Sequence, residues 1–230
     1  MWRARSADAL RQAPCQSGSS DFVRQTNDIT TAAIDGRASV PGADPPGATV
    51  ESLARALELH DYWRGRFGET GAHITRVTRL ALRLAHCVAP ELARTPQLAY
   101  GFRLHDIGMI GVSNAILLKT GPLTKAELDD IREHPWIGER IVAPVPSLCG
   151  LARQVIASHH ERWDGSGYPR GLSGAEIPLG ARIFAVADAF DAMTNDQPYR
   201  DALPVDHALT EIASKAGCDF DPRLDRKSVV

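Results

Sequence analysis

From residue 49 onward the apolar residues recur every three or four positions, and histidines and aspartates fall on the same stripes. Ile74, Val77, Leu80, Ala81, Leu84, Ala85 and Val88 form the longest stripe, the signature of a helix with one apolar face. Leu53, Ala56 and Leu57 open a shorter segment ahead of it, and Leu98 to Leu104 gives a helix that delivers His105-Asp106 at its end. Thr124-Lys125-Ala126-Glu127 is a capping box that starts a helix running through Leu128 and Ile131 to His134. Leu148, Leu151, Ala152, Val155 and Ile156 lead straight into His159-His160. Ala181 to Met193 is apolar nearly all round, which predicts a central buried helix with Asp188 in its middle. Ala208, Leu209, Ile212, Ala213 and Ala216 close the series, with Gly217 expected as the C-terminal cap. No alternating strand pattern of useful length appears, so the expected fold is all-α.

Residues 1–48 contrast with this order. They are rich in Ser, Gly, Pro, Ala, Thr and Asp, and Pro41 to Gly47 is a cluster of helix and strand breakers. Such a segment buries too little apolar surface to offset its ordering entropy. Residues 1–48 are therefore expected to be a low-order extension, 49–225 the folded domain and 226–230 a short tail. The 26 Lys and Arg against 28 Asp and Glu leave a formal net charge of −2, which excludes DNA binding by bulk positive charge. Cys15, Cys87, Cys149 and Cys218 are scattered, as expected of reduced thiols and not of a disulfide framework or a thiolate zinc site. No apolar run follows Met1-Trp2-Arg3 as a signal peptide requires. The most apolar window, Ile183 to Met193, is shorter than the roughly 20 residues a membrane span needs, and contains Asp188 and Asp191. A cytoplasmic protein without membrane association is the expectation.

Of eight histidines, five lie on or beside apolar stripes: His73, His105, His134, His159 and His160. Glu69 stands four residues before His73, and Asp106 and Asp188 are interleaved. One histidine on an apolar face is most simply a hydrogen-bonded core residue. Five on successive segments, with carboxylates between them, are better explained by shared cations, because polar groups at such positions need partners. That pattern points to a di- or trinuclear metal site in the core of a helical bundle. Nitrogen and oxygen donors without thiolate suit iron, manganese or zinc better than calcium. His60, His86 and His207 lack such company and are read as surface or ordinary structural histidines.

The order His73…His105-Asp106…Asp188 resembles that of the HD superfamily of metal-dependent phosphohydrolases. Three strings narrow the resemblance: His134-Pro135-x-x-Gly138, then His159-His160-Glu161-x-x-Asp164-Gly165-Ser166-Gly167-Tyr168-Pro169, then Ala187-Asp188-Ala189-Phe190-Asp191-Ala192-Met193-Thr194. Together they are similar to the HD-GYP subfamily over roughly residues 51 to 222, and a long composite motif of this kind is specific. Its members are bacterial phosphodiesterases that cut cyclic di-GMP to linear pGpG, some of them onward to GMP, using two or three metal ions, commonly iron or manganese. The resemblance implies that Asp106 bridges two metals. It implies that His73, His105 and Asp188 complete one, that His134, His159 and His160 hold the other, and that Glu69 is the extra carboxylate of members with a third. Asp106 and His105 are the implied catalytic pair, and Gly167, Tyr168, Pro169 and Arg200 the implied substrate contacts. The implied ligand is cyclic di-GMP or a related cyclic dinucleotide. Low-order residues stand where members carry a sensor or receiver domain, so a separate signalling-protein partner is also expected.

The chain departs from the family pattern at specific places. The family writes His-Asp-x-Gly-Lys where this chain has Met109, and Arg-Pro-Tyr-(Arg/Lys) where it reads Gln197-Pro198-Tyr199-Arg200. Two phosphate contacts are thereby neutral, and Arg200 remains. Losing a charge-assisted hydrogen bond costs roughly 1.5–3 kcal/mol, or about tenfold to a hundredfold in binding. Ser113-Asn114 replaces a usual Pro-Asp, extra residues stand near Tyr62 to Phe67, and the chain stops soon after Pro222, where members continue into another helix. Three readings stay open: an active cyclic-dinucleotide phosphodiesterase with altered affinity or selectivity, a weakly catalytic metal-binding module that senses a cyclic dinucleotide or binds a partner, and a phosphohydrolase acting on another nucleotide.

Overall fold

The computed structural model describes residues 46–62, 69–196 and 201–224, without the side chains of residue 46 and of 61–71. Positions 1–45 of the expected extension, the tail 226–230, the extra residues at 63–67, Gln197 and Arg200 lie outside the described residues.

Helix α1 spans Pro46–Tyr62 and begins inside the breaker cluster instead of after it. Proline is tolerated in the first helical turn, where its missing N–H would have no intrahelical acceptor. Helix α2 is Glu69–Val88, α3 Pro90–Ala93 and α4 Pro96–Arg103. A 3-10 turn, Ile107–Gly111, leads to the short α5, Asn114–Leu117. Helix α6 covers Lys125–Arg132, α7 His134–Val142, α8 Leu151–Ser158, α9 Leu179–Thr194 and α10 Val205–Ser214. Among the described residues the extended pairing is limited to one bridge between Ala216 and Phe220, so the architecture is all-α as expected.

The expected capping box at Thr124 is present, with the Glu127 carboxylate also accepting from the Thr124 N–H. The helix it opens stops at Arg132 instead of reaching His134, because Pro135 has no N–H to donate to the Ile131 carbonyl and so cannot continue the ladder; it sits instead in the first turn of α7. The stripe at Leu148 is likewise interrupted: Gly150, at φ 73°, separates a 3-10 turn from α8. Gly217 is not the cap of α10; Lys215 is, and Gly217 turns two residues later to donate to the Phe220 carbonyl at 2.8 Å. Helix α9 is buried along Ala181, Ile183, Phe184 and Ala187, but not all round, since Ala185, Asp188 and Ala189 face a cavity.

Helices α4 and α8 form the wall between two cores. Leu98 and Phe102 of α4 and Val155 of α8 join Val77, Ala81, Ile183 and Phe184 on one side. Tyr100 of α4 and Ala152 and Ile156 of α8 join Leu57, Leu104, Ile107 and Leu148 on the other. Phe102 and Phe184, both fully buried, stack with ring centroids 5.5 Å apart. Each such side chain contributes roughly 1.5–3 kcal/mol through removal from water. The wall matters because its two helices end on His105-Asp106 and on His159-His160.

Candidate metal centre

Three histidines share one local device. His105 follows the end of α4, His134 the end of α6, and His159 the end of α8. The last carbonyls of a helix have no intrahelical donor. In each case the histidine Nδ1 donates to the carbonyl three residues back: Phe102 at 2.9 Å, Ile131 at 2.8 Å and Ile156 at 3.0 Å. A carbonyl only accepts, so this bond places the proton on Nδ1 and turns Nε2 outward from its helix.

Those Nε2 atoms converge on Asp106. Its Oδ1 lies 3.2 Å from His134 Nε2 and 3.5 Å from His159 Nε2, and its Oδ2 lies 3.3 Å from His105 Nε2. The two Nε2 atoms of His134 and His159 are 3.2 Å apart. Gly108 permits this approach, since a Cβ there would collide with the His134 carbonyl oxygen and the Gly138 nitrogen. The turn carrying Asp106 is thereby packed backbone to backbone against α7.

His73 is held differently. It sits within α2, and its Nδ1 is 2.8 Å from Asp191 Oδ2 on α9. Asp191 is almost fully buried and accepts from Arg76 at 2.8 and 3.1 Å. His73 Nε2 lies 3.4 Å from Asp188 Oδ1.

The electrostatics follow from burial and from Asp106. Burial pushes His159 below its usual value, and pushes His160 down to about 2 with help from the neighbouring imidazoles. Burial also works against charging His105, but the Asp106 carboxylate outweighs it and lifts His105 to about 9. Asp106 itself, despite burial, is held well below the usual carboxylate range by the histidines around it. Tyr168 is stacked on His160 at 4.7 Å, and burial raises its phenol to about 12.

Among the described residues, Asp106, His134, His159 and His160 form a group whose ligand atoms lie within 4.8 Å of one another and could hold a metal ion. The donor set fits a divalent cation. Two nitrogens bound to one ion at about 2.1 Å are separated by roughly 3.0–3.4 Å, and His134 and His159 stand at 3.2 Å. A cavity of about 460 Å³ opens beside the group, lined by His159, His160, Tyr168 and Asp188 and flanked by Arg132 and Arg162.

A family model described as "HD domain" matches residues 31–224. The chain belongs to the HD domain family, in its HD-GYP branch. It is similar to a cyclic di-GMP phosphodiesterase of Thermotoga maritima, 41% identical over 157 residues that make up 68% of this chain and 43% of that protein. A 3'3'-cGAMP-specific phosphodiesterase of Vibrio cholerae is 35% identical over 76% of this chain and 33% of its own. This HD domain chain thus spans less than half the length of the curated relatives it matches. An HDG"Y"P protein of Bdellovibrio bacteriovorus shares the fold at a TM-score of 0.56 and 15% identity, over 90% of this chain and 79% of that one.

Within this HD-GYP fold the expected residues fall into three sets. His105, Asp106, His134, His159 and His160 come together, and His73 pairs with Asp188 beside His105, whose ring centroid is 5.9 Å from that of His73. Glu69 begins α2, but its side chain lies outside the described residues, as does all of Arg200. Gly167 and Tyr168 line the cavity, whereas Pro169 is not among its lining residues. Gly167 also packs against the backbone of His160, Glu161 and Arg162, where a Cβ would not fit. Of His60, His86 and His207, none belongs to the group.

Sequence reasoning assigned no role to Asp191, Arg76 or Glu161. The first two had a signal: His73 and Arg76 are three apart on α2, and Asp188 and Asp191 are three apart on α9, so two matched pairs face each other. Glu161 is buried and accepts from the backbone N–H groups of Arg170 at 2.8 Å and Leu172 at 3.0 Å, which shapes the Gly-Tyr-Pro loop.

Proposed function

We propose that this chain is a metal-dependent phosphodiesterase that hydrolyses cyclic di-GMP to linear pGpG, with GMP as the product wherever a second cut follows. The convergence of His134 and His159 on two-sided Asp106, beside a cavity that His159, His160 and Asp188 line, carries this reading. His134, His159 and His160 would hold one divalent ion, and His73, His105 and Asp188 a second, with Asp106 between them. Glu69 is the candidate for a third. Iron or manganese fits the mixed nitrogen and oxygen donors. Bound ions supply Lewis acidity toward a phosphate oxygen and toward an attacking water.

The protein's part is orientation. The helix-end carbonyls hold three imidazoles in one tautomer, and Asp191 with Arg76 does the same for His73. Asp106 presents an oxygen to each side as the catalytic carboxylate, with His105 against its Oδ2. Tyr168 and Gly167 cover His160 and bound the space for substrate, and Arg200 is retained as a further substrate contact.

Protein loaded anaerobically with manganese or ferrous iron is expected to release pGpG from cyclic di-GMP, read by chromatography. Absence of pGpG and GMP despite stoichiometric metal would overturn the reading. One observation favours the second reading, a weakly catalytic sensor or partner-binding module. The Met109 side chain, at the position of the family lysine, packs against the core formed by Leu104 and Ile107. Restoration of turnover by Met109→Lys with Gln197→Arg would support it.

A further inference from the structure

We propose that Arg132 binds the substrate's second phosphate, the one not being cleaved. The inference rests on the cyclic-dinucleotide reading above. A cyclic dinucleotide carries two phosphodiester anions, and one of them at the Asp106 centre leaves the other in need of a cation. With Met109, partly buried, packed against the core, the turn after Asp106 supplies none.

Among the described residues the cavity is lined by two arginines, and they differ in what already holds them. Arg162 donates to Ser166 at 2.7 Å and to Asp164 at 3.2 Å, and pairs closely with Asp219. Its charge is committed to the Gly-Tyr-Pro loop and the C-terminal segment. Arg132 has a loose ion pair with Asp129 at 3.7 Å, both side chains exposed, a contact of little strength in water. The acidic residues lining the same cavity are otherwise engaged: Glu161 with the loop amides, Asp219 with Arg162, and Asp188 with His73.

Position supports the same role. The Arg132 guanidinium lies over the Tyr168 ring, 5.6 Å from its centroid, and that ring is stacked on His160. The cation is therefore one aromatic ring farther out than a residue of the candidate metal group. It is also fixed in register with that group, since Arg132 ends α6 two residues before His134. A guanidinium resting on an aromatic face keeps its in-plane N–H donors available, and these match two phosphate oxygens at once.

The test compares wild type, Arg132→Ala and Arg132→Lys, each loaded with manganese. Binding of a non-hydrolysable phosphorothioate analogue of cyclic di-GMP is measured by calorimetry, and hydrolysis of bis(p-nitrophenyl) phosphate, which has a single phosphate, serves as the second readout. Arg132→Ala is expected to weaken analogue binding roughly tenfold to a hundredfold, the value of one charge-assisted contact. Arg132→Lys should recover part of it, and hydrolysis of the single-phosphate ester should stay within about twofold in all three. Wild-type binding that Arg132→Ala leaves unchanged would overturn the role of Arg132 alone. Parallel loss of both readouts would make Arg132 a support of the centre and overturn phosphate binding. Failure of wild type to bind the analogue, with ester hydrolysis intact, would overturn the cyclic-dinucleotide reading and this inference with it.

Discussion

The histidines of the centre are oriented in two ways. His105, His134 and His159 stand at helix ends and donate Nδ1 to a carbonyl three residues back in their own chain segment. His73 stands within a helix and depends on Asp191, a side chain more than a hundred residues away that Arg76 must hold in turn. The first arrangement is local and forms with the helix. The second forms only when α2 and α9 pack. Exposure follows the same division: the His134 and His159 side chains are 3% and 1% exposed, against 28% and 34% for His73 and Asp188. The side formed by His134 and His159 is therefore the preformed part of the centre, and the side that joins helix-end His105 to the more exposed His73 and Asp188 is the part most open to perturbation.

The strongest way to break this comparison is to remove what the halves share. Asp106→Asn is expected to lower hydrolysis of cyclic di-GMP by more than about a hundredfold, the upper end of what loss of an outer contact costs, and to reduce the bound metal in both halves, read by elemental analysis. A narrower cut is Asp191→Asn. Removing the carboxylate that orients His73 should weaken metal affinity on that side roughly 10- to 100-fold, with the ion beside His134 retained. Competition with a chelator separates the two affinities, and equal loss on both sides would mean the halves are not distinct.

Two further changes separate stability from the centre. Asp221 accepts from Arg182 at 2.5 Å and from Arg223 at 2.9 Å, and those cations overcome burial to hold its carboxyl below the usual range. A carboxyl whose folded pKa is depressed contributes stability that is full above its unfolded pKa, near 4, and lost as pH falls through the lower folded value. Asp221→Asn should cost about 3 kcal/mol at neutral pH. The gap to wild type should narrow in denaturant titrations taken below about pH 4, with metal content unchanged. The smallest effect is expected of Thr124→Ala, which removes the N-terminal cap of α6 and costs about 1 kcal/mol. A fall in melting temperature without loss of metal is the outcome that keeps the His134 side independent of that cap.

Much of this was legible in the sequence because its signals are local. Apolar stripes and the capping box mark α2, α6 and α8, and a stripe that ends on histidine marks the helix-end device, although the carbonyl bond itself was not foreseen. What escaped was either backbone detail or distant pairing. The break at Glu133 depends on Pro135, and the start of α1 at Pro46 on the tolerance of a first turn for proline. Asp191 lay within a quoted motif, yet its bond to His73 joins residues that only the packing of two helices brings together. The partial exposure of α9 was hidden because Ala185 and Ala189 read as core, whereas their small side chains instead border the cavity beside Asp188.

The most direct test of the two-part centre is the number of manganese ions per chain, after anaerobic loading, in wild type, His134→Ala and His73→Ala. The expected result is at least two ions in wild type, with each variant keeping the ion of its unaltered half and His73→Ala losing the more readily chelated one. Fewer than two ions in wild type, or loss of all metal from either single variant, would contradict two halves joined through Asp106.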